Sequence, residues 1–234
     1  MPSTSAALTH AADLAEFVAA SPSSFHAASV VARRLQQAGF TPLDETSPWS
    51  VTPGAKQLVV RDGAVIAWVV PDTADADTAF RIFGAHSDSP AFKLKPNPTT
   101  GRAGWLQAAV EVYGGPLLNS WLDRELRLAG RLALDDGTEV LAATGALLRL
   151  PQLAIHLDRT ANDHLTLDKQ RHTQPVYGVV GAGDSTERDT VTHPAPLAGI
   201  HAPDAPAPGT CTENDMSDGA VGTFSSASSA IRPG

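Results

Sequence analysis

His86 and Asp88, in the stretch Phe83-Gly84-Ala85-His86-Ser87-Asp88-Ser89-Pro90, are the residues whose types and spacing could do chemistry. An imidazole can bind a metal through one ring nitrogen, and a carboxylate two residues on can orient the ring or tune a catalytic base. The apolar run Phe80-Arg81-Ile82-Phe83 before them predicts the end of a buried strand, and Pro90 stops that strand from continuing. The pair would then stand at the C-terminal end of a strand, where open α/β sheets place their ligands. An H-x-D triplet alone is explained equally well by a surface turn.

The whole chain bounds what these two residues can belong to. Its 234 residues could hold one large domain or two small ones. With 42% hydrophobic and 18% charged residues it has the composition of a soluble globular protein. A net charge of −8 without any basic run argues against nucleic acid or an anionic membrane as partner. The single cysteine, Cys211, excludes an internal disulfide framework and a cysteine-based zinc site. No apolar segment approaches the length of a membrane span and no leader-like pattern opens the chain, so the expected compartment is the cytoplasm.

The elements that must position His86 come before it. Ala11, Leu14, Ala15 and Val18 recur at helical spacing, and Ser21-Pro22-Ser23-Ser24 interrupts them. Ala27, Val30, Val31, Arg34, Leu35 and Ala38 predict a second helix, ended by Gly39 in a left-handed conformation. His26 opens that helix, where capping or packing accounts for it. Residues 58–70 predict a hairpin turning at Asp62-Gly63. Helices, hairpin and then the strand into His86 fit the opening of an α/β domain, assigned to residues 1–98.

After Pro98 the texture changes. Thr99 to Gly104 is rich in turn formers, and strands are expected over residues 106–112, 126–134 and 139–142, with Asp135-Asp136-Gly137 as a hairpin turn. Residues 99–178 therefore read as a β-rich module inserted into the α/β domain. Asp123-Arg124-Glu125 reads as a surface ion-pair cluster or as a salt bridge at the edge of this module. His156 lies between apolar neighbours, where most histidines are satisfied core or edge residues. His164 and His172 follow it at eight-residue intervals, which suits neither a strand face nor a compact turn, so they are not taken as ligands.

Several phrases in order carry a family resemblance. Gly84-Ala85-His86-Ser87-Asp88-Ser89-Pro90 with Lys93-Leu94-Lys95-Pro96 resembles the first metal-ligand segment of the M18 zinc aminopeptidases, the aspartyl aminopeptidases. Ser21 to Ala27, with its S-P-x-x-F-H-A order, resembles a further phrase of that family and would put His26 near the substrate pocket. Trp49 to Gly54, Tyr113-Gly114-Gly115, Trp121 to Arg131, Leu150 to Leu157 and Arg171 to Val176 are similar to others. The resemblance covers about residues 10–178.

It implies zinc-dependent removal of N-terminal residues, preferentially acidic ones, from peptides. Two Zn2+ ions per complete site would activate a water for attack on the scissile carbonyl, with a glutamate as base. On this resemblance His86 ligates zinc, Asp88 orients or tunes the catalytic site, and His156 contacts substrate across a subunit boundary. The β module would make the chain a homo-oligomer.

From about Gly178 the resemblance stops. Residues 179–234 are rich in Ala, Gly, Pro, Ser and Thr and predict a disordered or frame-shifted tail. The family's bridging aspartate in an R-L-D-N phrase, its E-E-[VI]-G pair, its further acidic ligand and its final histidine have no counterpart here, and Glu213-Asn214-Asp215 does not match them. The expected fold class is therefore α/β: an incomplete aminopeptidase domain interrupted by a β-rich module, with a disordered C-terminal tail. The alternative function is a catalytically inert, truncated fragment that keeps its oligomerisation module.

Overall fold

Ser23 lies just ahead of a run with apolar residues at helical spacing, and the helix starts there. Its backbone is extended (φ −142°, ψ 166°), its side chain accepts from the His26 N–H, and α2 (Ser24–Gln37) follows, burying Ala27, Ala28, Val30 and Ala32. The His26 ring completes the cap, with Nδ1 at 2.8 Å from the Ser23 hydroxyl, in line with the capping role expected of it. The helix closes through Ala38 and Gly39, whose φ is +88°. Ahead of it, α1 (Thr4–Ala19) is tied to α2 by a 2.9 Å Arg34–Asp13 ion pair and by the Arg34 guanidinium over the Phe17 ring. The stripe expected to bury α1 faces solvent at Leu14 and Val18.

The computed structural model describes residues 4–133, 138–179 and 221–226. These fall into two compact units, Met1–Ser89 and Pro90–Gly234.

The first unit sets α2 against a small sheet in the order β1 (Thr41–Pro42), β2 (Lys56–Arg61), β3 (Ala64–Val69). β1 runs parallel to β2, and β2 and β3 form the expected hairpin with Arg61 opposite Ala64. At the turn Asp62 takes a left-handed φ of 52°, which aspartate tolerates better than most residues. Leu58 and Val59, consecutive in β2, are both buried. The loop before β2 is held by the Trp49 indole on the Asp44 carbonyl, by Trp49 against Trp68, and by Gln57 bridging the Ser50 carbonyl to the Trp68 indole.

One expectation is corrected here. Phe80 to Phe83 is not a buried strand: the segment has no regular secondary structure, and Phe80, Ile82 and Phe83 are 92, 88 and 102% exposed. A short apolar run becomes a central strand only when neighbours on both sides complete its hydrogen-bond ladder. Among the described residues none pairs with it. Its hydrophobicity says what it would bury if covered, and covering it is a tertiary matter.

Among the described residues of the second unit the regular structure is β apart from a 3₁₀ turn at Leu118–Trp121. β4 (Ala91–Arg102) and β5 (Trp105–Tyr113) form a hairpin through Ala103 and Gly104, both at positive φ. β4 runs through the boundary expected after Pro98, so Lys93 to Pro96 belong to this unit. Pro96 and Pro98 cannot donate to a ladder, and the β4–β5 register shifts between Leu94 and Thr99. β6 (Glu125–Ala133) and β7 (Glu139–Ala143) follow where strands are expected; Asp135-Asp136-Gly137, expected as the turn between them, lies outside the described residues.

β8 (Leu148–Arg149), β9 (Val176–Val179) and β10 (Val221–Ser226) complete the sheet in the order β10-β4-β5-β9-β8-β6-β7. β10 also pairs with β6, so the ladder from β10 through β4, β5, β9, β8 and β6 returns to β10. Phe92, Ala108, Val110, Leu126, Leu128, Leu148 and Leu150 form the core inside that ring, with Trp121 edge-on to Phe92 at 4.8 Å. Within the segment expected to lack order, residues 221–226 thus form a strand. Val179, the first residue of that tail, ends β9; the rest, including Cys211 and Glu213 to Asp215, lies outside the described residues.

Phe92 is fully buried and Ile66 is 67% exposed. Phe92→Ala should therefore lower the unfolding free energy by about 3–5 kcal/mol, whereas Ile66→Ala should change it by less than about 0.5 kcal/mol. Urea denaturation followed by tryptophan fluorescence measures both, and equal effects would contradict this assignment of the core.

Candidate functional site

The loop carrying His86 is tied to the hairpin of the first unit at Gly63. The Ser87 hydroxyl donates to the Gly63 carbonyl at 2.7 Å. The first turn of α2 sits over the same residue: a β-carbon added at Gly63 would lie 2.6 Å from Ser24 Oγ and 2.8 Å from Ser24 Cβ. Only glycine allows that approach. The helix start, the hairpin turn and the His86 loop therefore meet at one backbone position.

Within the loop, His86 Nδ1 lies 2.8 Å from the backbone carbonyl of Asp88 and 3.4 Å from its carboxylate Oδ1. A carbonyl only accepts, so this contact assigns the hydrogen to Nδ1 and leaves the Nε2 lone pair free to bind a metal. A histidine ligand is commonly oriented in this way, by a carbonyl or carboxylate on its other nitrogen. The His86 side chain is 82% exposed and that of Asp88 46%. Sequence reasoning placed the orienting role on the Asp88 carboxylate, and the nearer atom is its main-chain oxygen. Nothing in the residue types signals this, because any residue at 88 carries a carbonyl.

His156 belongs to the second unit. It sits in a turn closed by the Leu157 and Asp158 N–H groups, which both donate to the Ala154 carbonyl. His156 is exposed there, as are Ile155 and Leu157, so its apolar neighbours do not make it a core residue. His172 Nδ1 accepts from the Asp168 N–H at 3.0 Å and serves a local turn. Backbone donors from Gln170 and Arg171 hold the Asp168 carboxyl below its usual range.

Several of the other phrases singled out in the sequence interlock within the second unit. The Lys93 ammonium lies over the Tyr113 ring at 3.8 Å. The Lys95 ammonium donates to Gln170 Oε1 and pairs with Glu111, and Gln170 Nε2 donates to the same carboxylate. These contacts, that from Gln170 first, hold the Glu111 carboxyl below its ordinary value. The Ala108 N–H donates to the Pro175 carbonyl at 2.8 Å, and the Gln174 side-chain oxygen accepts from the Val110 N–H at 2.9 Å. Lys93, Lys95, Tyr113, Gln170 and Gln174 therefore hold strands together.

Among the described residues no group of three or more His, Cys, Asp or Glu side chains is placed to hold a metal. A zinc site takes three or four such ligands. The described residues fit one ligand of a zinc site, His86, and do not fit a whole one.

The comparisons with known proteins agree with these phrases. The family described as aminopeptidase I zinc metalloprotease (M18) matches residues 17–202. That match runs past the limit near Gly178 suggested by the phrases alone. A probable M18 family aminopeptidase 2 of Streptomyces avermitilis is 56% identical over 184 residues, which are 78% of this chain and 42% of that protein. Its namesake from Streptomyces coelicolor is 55% identical over 178 residues, 75% of this chain and 40% of that one. The chain thus spans well under half the length of these relatives. Among solved structures, a chain of the Ape4 and Nbr1 complex superposes with a TM-score of 0.76 at 29% identity, covering 92% of this chain and 43% of the other. The Thermotoga maritima M18 aminopeptidase superposes with a TM-score of 0.73 at 22% identity over 95% of this chain and 48% of its own; at that identity it shows the fold alone.

Ser87→Ala removes the tie between the His86 loop and Gly63. It should raise amide exchange in residues 84–89, by about 0.5–1.5 kcal/mol of local stability, and leave β2 and β3 protected as before. Uniform loss of protection across the first unit would show that the serine is not a local tie.

Proposed function

The chain belongs to the M18 family of aminopeptidases, and on that premise we propose that it carries the first metal-ligand segment and a substrate-side histidine of a zinc aminopeptidase. The activity is removal of N-terminal residues, preferentially acidic ones, from peptides. The observation that carries this reading is the geometry of His86, whose Nδ1 is engaged by the Asp88 carbonyl so that Nε2 is the ligand atom. Asp88 supports the ring in that tautomer. The exposure of His156 on its turn supports a substrate-side role toward a peptide bound at another subunit.

When bound, zinc supplies Lewis-acid polarisation of a peptide carbonyl and activation of water. The described residues provide one ligand, so the remaining ligands and the general base are contributed from outside them. No helix among the described residues is long and apolar enough to cross a membrane, and the net charge of −8 disfavours anionic polymers. A cytoplasmic location and small-peptide substrates are part of this reading.

A second reading is supported by the absence of a complete ligand group among the described residues. In it the chain is catalytically inert and its β unit assembles with copies of itself. A yeast relative with a TM-score of 0.55 is described as a dodecamer, and self-association of this chain is a reasonable counterpart.

One preparation separates the two readings. Zinc content, hydrolysis of Asp- and Glu-terminal peptides, and mass by light scattering are measured on the same sample. The aminopeptidase reading expects bound zinc and hydrolysis, with His86→Ala lowering the rate at least about a hundredfold. An oligomer without zinc or hydrolysis overturns it in favour of the inert assembly.

A further inference from the structure

Asp123 stands just before β6 and is one of three non-glycine residues among those described with a positive φ, at 52°. Every polar group of this residue faces the chain where it leaves β8. Its N–H donates to the Leu150 carbonyl at 2.8 Å. Its carbonyl accepts from the Arg149 guanidinium at 2.9 Å, and its carboxylate Oδ1 accepts from the Gln152 N–H at 3.3 Å. Leu122 and Leu150 make an isolated parallel bridge beside these contacts. Between Leu150 and Gln152 lies Pro151, which has no N–H, so the Gln152 amide is the first donor after the sheet and the carboxylate takes it.

Leu150 is buried in the core at 1% exposure, which fixes the inner end of this segment. At Ala154 the turn begins that presents His156. Only Leu153 separates the Gln152 anchor from that turn. The Asp123–Arg149 ion pair itself is long, at 3.7 Å, with both side chains more than half exposed, so its charge contributes little. What matters is a residue that tolerates the left-handed region and offers a side-chain oxygen, and aspartate or asparagine meets both needs.

We propose that Asp123 is a positioning residue that fixes the direction in which the chain leaves the sheet and so holds the His156 imidazole in place. This rests on reading His156 as a substrate-side residue. The Asp-Arg-Glu cluster is then more than a solvated ion pair, because its first member is a backbone clamp.

The test uses the full chain, isotope-labelled, with two readouts: amide exchange at Gln152 and the ring resonance of His156. Asp123→Ala should speed exchange at Gln152 by about fivefold or more and shift the His156 resonance, while the Leu128 and Ala129 amides of β6 keep their protection. Asp123→Asn keeps the acceptor and the backbone preference, and should leave both readouts within about twofold of the parent. If the alanine chain fails to fold, Asp123→Gly serves in its place, since it relieves the backbone and removes only the acceptor. Unchanged exchange at Gln152 in the alanine or glycine chain overturns the proposal. So does an asparagine chain that behaves like alanine, or loss of protection spread evenly over β6. A His156→Ala chain with full peptidase activity would remove the substrate reading and leave the clamp standing, so the two failures are told apart.

Discussion

Phe92 and Leu126 lie in two different strands and Leu150 just past the end of a third, and all three lose all or nearly all their solvent contact in one cluster. Their burial is the constraint on which the second unit depends. Phe92 draws β4 in, Leu126 draws β6, and Leu150 draws in the chain just after β8. With these three together, Trp121 closes over Phe92 edge-on and the 3₁₀ turn takes its place beside β6. Removing water from these side chains is worth about 1.5–3 kcal/mol each. The polar contacts that decorate the sheet, such as Lys95 with Glu111 and Gln170, lie at its surface and set register more than stability.

From that core the polar geometry follows. With Leu150 buried, the next residues must leave the sheet at a defined point, and Asp123 meets them there with an N–H and an oxygen. In the first unit Gly63 has the corresponding place. Its missing side chain lets α2 approach, and its carbonyl holds Ser87. In both units a candidate site residue lies near such a backbone joint: His86 precedes Ser87, which is tied to Gly63, and His156 follows Gln152, which is tied to Asp123.

The His86 segment shows how far a single imidazole can be oriented locally. Its ring is held through Nδ1 by the carbonyl two residues on, and on the proposed reading this would orient a ligand before any metal arrives. The remaining ligands must come from distant parts of a fold, since a tetrahedral zinc shell cannot be completed by one short loop. Phe80, Ile82 and Phe83 are exposed because no strand among the described residues pairs with their segment.

Local pattern in the sequence determined the α2 helix with its Ser23 cap, the hairpin at Asp62-Gly63, the strands around residues 106–112, 126–134 and 139–142, and the phrases by which the family is recognised. Each depends on interactions within a few residues, or on a period that one face of an element must show. His86 and Asp88 were legible for the same reason, as a pair two residues apart. Tertiary structure alone decided that Phe80 to Phe83 stays exposed, because pairing depends on partners. It also decided that β4 runs on past Pro98 and that α1 turns Leu14 and Val18 to solvent. That Asp123 clamps Gln152 could not be read either, since 29 residues separate them and only the shared core brings the two stretches together.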